Sequence, residues 1–150
     1  MRTVHVTRTI TAPPEGNFDL LADHPRYDRF RDIRGSELLR EGEPPPNGVG
    51  TMRRVLIGPL RFEEEITAYE RPSRLEYLIV RINSPLEHKG GKIRLSALGP
   101  DTEVEWRSEF RVPVPVIGPA MELAWVVVLR RGFRRVLEDV ERILREGESR

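Results

Sequence analysis

The chain has 150 residues, 38% hydrophobic and 33% charged, with 25 Lys+Arg against 24 Asp+Glu and no cysteine. That length suits one domain, 1–150, with a substantial core, and the balanced charge excludes a global field for nucleic acid or an anionic membrane. The missing thiols exclude disulfides, thiolate metal sites and cysteine nucleophiles.

"RTVHVTRTI" alternates Val4, Val6, Arg8 and Ile10 against Thr3, His5, Thr7 and Thr9, the period of a strand with one buried face. It has no apolar leader core, and the longest apolar run, Leu123 to Leu129, falls far short of the roughly 20 residues of a span. A cytoplasmic protein without stable membrane insertion is expected. Pro13 and Pro14 then suit a helix start, and Phe18, Leu21 and Ala22 share its face. Asp23-His24-Pro25 breaks it before a second short helix carrying Tyr27 and Phe30.

From Ile33 onward, six strand-like runs end at turn signals: "RGSELLREGE", "VGTMRRVLIG", "RFEEEITAYE", "RLEYLIVRI", "GKIRLSALG" and "TEVEWRSEFRV". Connections this short cannot join parallel neighbours, so the runs form an antiparallel meander. In the last run Val104, Trp106, Ser108, Phe110 and Val112 face one way and charged residues the other. The third run turns Phe62, Glu64, Ile66 and Ala68 inward, which leaves the Glu64 carboxylate in need of a partner. From Pro119 to Glu148 the chain reads as one long helix, with Val126, Leu129, Phe133, Val136, Leu137 and Val140 at helical spacing. Its first half, "LAWVVVL", is apolar in every direction, so sheet, cavity and lid are expected to surround it.

One strand, two short helices, an antiparallel meander and a long C-terminal helix together resemble the helix-grip fold of the START-like (SRPBCC) superfamily. "NGVGTMRRV", "EEEITAYERPSRLEYLI", "TEVEWRSEFRVPVP" and "RRVLEDVERIL" are similar to its polyketide cyclase/dehydrase-like branch, and "FDLLADHPRYDRF" to its coenzyme Q-binding branch. The resemblance implies an α+β domain: a curved seven-stranded antiparallel sheet around the long helix, with a cavity between them.

Candidate residues follow from these placements. His5 belongs to a strand surface, His24 to a turn, and His88 either to the cavity mouth or to a solvated loop beside two glycines. No two histidines have metal-ligand spacing, and no cofactor is expected. Arg53 and Arg54 are strand neighbours, so one faces inward and can pair with Glu64; the candidate site carries Arg54 and leaves the choice open. Such a pair is either structural, or polarises a carbonyl and moves a proton. Ile66, Tyr77, Trp106, Phe110, Trp125, Leu129 and Phe133 are expected to line the cavity, with Tyr27 and Phe30 as its lid. In "RRGFRR" the arginines are expected to pair with Glu138, Asp139 and Glu141 along a solvated helix, the alternative being a patch for RNA or an acidic membrane.

The expected function is binding of an apolar or aromatic small molecule, polyketide cyclase/dehydrase-like, with or without catalysis. The alternative is lipid or quinone binding and transfer. A START-like stress-response or ribosome-interacting module is a third, weaker reading; nucleic acid is not an expected partner, and a homodimer stays open.

Overall fold

The computed structural model describes residues 1–23 and 29–148. Its elements run β1 (Arg2–Ile10), α1 (Pro14–Ala22), β2 (Gly35–Arg40), β3 (Met52–Ile57), β4 (Leu60–Glu70), β5 (Arg74–Ile82), β6 (Glu87–Leu98), β7 (Asp101–Arg111) and α2 (Gly118–Glu148). All seven strands form one antiparallel sheet in the order β1-β7-β6-β5-β4-β3-β2. Strands β2 to β7 are therefore the expected meander, and β1 closes on β7. The expected second short helix, carrying Tyr27 and Phe30, falls largely outside the described residues, among which α1 is the one α-helix before β2. His24 and Tyr27 lie outside the described residues.

Alternation holds where the ladder is regular. On β7, Val104, Trp106, Ser108 and Phe110 are all buried. A bulge between Ile66 and Ala68 shifts the phase of β4, so the inward place expected for Ala68 passes to Tyr69. Tyr69 meets Phe18 of α1 edge-on, with ring centroids 5.0 Å apart.

Helix α2, 31 residues and so about 46 Å long, packs on β1, β7 and α1. Leu137 and Val140 are fully buried in one cluster with Val4, Ile10, Phe18, Leu21 and Leu75, each such side chain contributing about 1.5–3 kcal/mol. Arg8 of β1, on the same face as these valines, reaches Glu141 at 3.0 Å. The first half of α2 behaves differently from expectation. Met121, Trp125, Val126 and Leu129 pack inward, but Leu123, Val127 and Val128 are exposed. "LAWVVVL" is thus covered on one side only, because no described element lies over its outer face. Just before α2, Val116 has φ 67°, a left-handed conformation that costs a β-branched residue on the order of 1–3 kcal/mol.

Candidate functional site

Between the sheet and residues 125–136 of α2 the core is open. The cavity there has a volume of about 670 Å³, inside the range of roughly 300–1,000 Å³ typical of small-molecule sites. Its walls come from β3 (Arg53, Val55, Ile57), β4 (Leu60, Phe62, Glu64), β5 (Tyr77, Ile79, Ile82), β6 (His88), β7 (Trp106, Ser108, Phe110) and α2 (Trp125, Leu129, Gly132, Phe133, Val136). Most of this surface is apolar. The closed core takes over with the next residue of α2, Leu137.

Two polar constellations interrupt the apolar wall. Arg53 and Glu64 face each other in register on β3 and β4, with Nε donating to Oε1 at 2.5 Å and both side chains at most 5% exposed. A buried pair with this geometry compensates two charges that would each be costly alone. The second constellation centres on His88, where backbone pairing of β5 with β6 stops at Tyr77 opposite Gly91. Beyond that point the Ile79 N–H donates to His88 Nδ1 at 2.9 Å, so an imidazole takes the place of a strand carbonyl. With its Nδ1 lone pair occupied, the neutral ring carries its proton on Nε2 and donates to Ser108 Oγ at 2.9 Å. Burial pushes the His88 pKa down to about 4. In this tautomer His88 cannot take a proton from Ser108, which argues against a serine nucleophile.

The aromatic side chains are ordered around these groups. Tyr77 stacks on His88 with centroids 5.5 Å apart, and its hydroxyl accepts from Trp106 Nε1 at 2.9 Å. Trp106 in turn stacks on Phe133 of α2 at 4.1 Å, with the planes 7° apart. Gly91 makes this possible, since a Cβ there would be built into the Tyr77 ring.

At the mouth, the chain leading into β2 is fastened to α2. Asp32 accepts from Arg135 at 2.7 Å; Arg31 reaches Asp139 through its side chain at 2.6 Å and through its backbone N–H at 2.9 Å.

Of the side chains expected in the site, Glu64, Tyr77, His88, Trp106, Phe110, Trp125, Leu129 and Phe133 line the cavity. Arg54 does not: strand parity turns it to the outer face, where it pairs with Glu37 and Glu63, and Arg53 is the inward arginine. Ile66 is fully buried in the closed core, opposite Tyr77 in register. Phe30 is also a core residue and not a lid, held inward by the fastening of Arg31 to α2. Sequence reasoning named no site role for Ser108, although a lone hydroxyl in the apolar alternation of β7 is a readable signal. His5 lies on the outer strand surface beside Glu105, as expected. The described residues contain no cluster suited to a metal ion.

The family model described as "Polyketide cyclase / dehydrase and lipid transport" matches residues 1–145. No curated protein matches the chain. Among solved structures, a START superfamily protein from Mycobacterium smegmatis superposes with a TM-score of 0.77 at 14% identity, covering 96% of this chain and 97% of the other. The protein TTHA0849 from Thermus thermophilus gives 0.76 at 17%, over 94% and 95%. The Zhui aromatase/cyclase from Streptomyces sp. R1128 gives 0.75 at 18%, over 93% and 91%. At these identities the structural likeness speaks for the fold alone.

Proposed function

Because the chain belongs to the polyketide cyclase/dehydrase and lipid transport family of the START-like superfamily, we propose that its cavity binds an apolar, largely aromatic small molecule bearing a carbonyl or hydroxyl group. The observation that carries this reading is the Arg53–Glu64 pair set into an otherwise apolar wall. An all-hydrocarbon ligand would leave the pair without use. A carbonyl oxygen beside Arg53 would instead gain a charge-assisted hydrogen bond in a water-poor site. Glu64 is then placed to accept a proton from an adjacent carbon or hydroxyl, as a cyclisation or dehydration requires. Aromatic side chains in the lining, Tyr77, Trp106, Phe110, Trp125 and Phe133, suit contact with a planar ring system.

A second reading, carriage of a lipid or quinone without catalysis, is favoured by one observation: apolar side chains make up most of the cavity surface. The two readings divide on the polar pair. The chain's two tryptophans, Trp106 and Trp125, both line the cavity, so their fluorescence is a built-in titration signal. Binding of anthracene and of a hydroxylated anthraquinone is measured by its quenching in the parent protein, Glu64→Gln and Arg53→Met. The expected result is a loss of about tenfold or more for the anthraquinone, one charge-assisted hydrogen bond, with anthracene unaffected. Equal affinities in all three proteins, with only thermal stability lowered, would make the pair structural and sink the polar-ligand reading. Native mass spectrometry of protein from its own host then identifies a co-purifying ligand.

A further inference from the structure

The start of α2 presents an apolar face that nothing described covers. Val116, Ile117, Leu123, Val127 and Val128 are each more than half exposed. Leu123 and Val127 lie four residues apart on one face of α2 with Val128 beside them, and Val116 and Ile117 stand in the turn that leads into the helix. Val116 is 96% exposed despite its unfavourable φ, so the chain holds an apolar side chain out into water.

The charge along this segment has one sign. Residues 116–137 contain four arginines and a single carboxylate, Glu122, which is buried and accepts the Val112 N–H. Arg135 is paired with Asp32, whereas Arg130, Arg131 and Arg134 have no ion pair among the described residues. The acids expected to neutralise them are engaged elsewhere: Glu138 and Asp139 with Arg31, Glu141 with Arg8 and Arg145. A partner for this face must therefore be apolar and anionic together. A second copy of the chain offers the same arginines and no free carboxylate on the matching surface, so it lacks the complementary charge.

We propose that this face of α2 docks on an anionic lipid bilayer, lying in the headgroup region without crossing it. Val128 and Arg131 belong both to this surface and to the cavity lining, so docking brings the cavity opening to the membrane and lets an apolar ligand pass between the two. The exchange step rests on the ligand-binding reading given above; the docking itself does not.

The test is co-sedimentation of the full chain with vesicles of phosphatidylcholine alone and of phosphatidylcholine mixed with phosphatidylglycerol. Binding is expected to the mixed vesicles only, and to weaken as salt is raised. Arg130→Glu and Arg134→Glu should each lower it about fivefold or more, and the double change Leu123→Asp/Val127→Asp should abolish it. None of these four side chains lines the cavity, so anthraquinone quenching should match the parent protein. Absence of parent binding to mixed vesicles would overturn the proposal, as would undiminished binding by Leu123→Asp/Val127→Asp. So would a parent dimer in sedimentation equilibrium that this variant dissociates. Vesicle binding without anthraquinone binding would uphold docking and overturn the cavity reading instead.

Discussion

A buried imidazole that accepts a backbone N–H makes stability depend on pH in a defined direction. His88 has its folded pKa lowered to about 4, below the ordinary histidine value of 6.5, so the unfolded chain binds the extra proton first. The stabilisation is complete above pH 6.5 and declines as pH falls toward about 4, by up to about 3 kcal/mol. Urea unfolding of His88→Gln between pH 5 and 7 should show a flatter profile than the parent; equal slopes would contradict the assignment. Glu87 and Glu122, both held below the usual carboxylate value by the cations and backbone N–H around them, contribute at more acidic pH. Residue identity alone could not reveal this, since "SPLEHKGG" reads equally as a loop. What extends β6 back to Glu87 is the bulge at Gly90, whose φ of 144° suits glycine. Likewise, the adjacent Arg53 and Arg54 were legible as one inward and one outward residue. Only the register against Glu64 and Glu63 says which is which.

At the scale of elements, the meander and the long helix were readable because period-2 and helical patterns change cleanly at turn residues. The departures are places where two elements negotiate. Bulges in β4 depend on its pairing with β5, and the uncovered side of α2 depends on how far the sheet reaches. Gly132, inside α2 and lining the cavity, illustrates such a compromise. Glycine in a helix interior costs roughly 0.5–1 kcal/mol relative to alanine, and an added Cβ would meet no atom within 4 Å. Gly132→Ala should therefore raise stability by about that amount in chemical denaturation. Gly132→Leu should narrow the cavity and weaken anthraquinone quenching. Unchanged binding by the leucine variant would mean that the ligand does not reach this turn.

The molecule as a whole divides along α2 into a closed core around Leu137 and Val140 and an open half around Trp125 and Phe133. The family pattern made a cavity legible, but not its contents or its limits, because the residues that bound it are contributed by five strands and one helix. Ligand filling the open half should stabilise the whole domain by mass action, about 2.7 kcal/mol at a hundred times the dissociation constant. For a chain of this size that raises the melting temperature by roughly 5–10 °C; an unmoved melting temperature at that concentration would mean that the ligand does not bind the folded state selectively. The fastening of Arg31 and Asp32 to Asp139 and Arg135 bears on time and not on equilibrium. These contacts join the chain before β2 to α2 beside the mouth, so a bound molecule that leaves between these two elements does so only as often as they part. Residence time would then be governed by ionic contacts that the ligand itself never touches, which separates how long it stays from how tightly it is held.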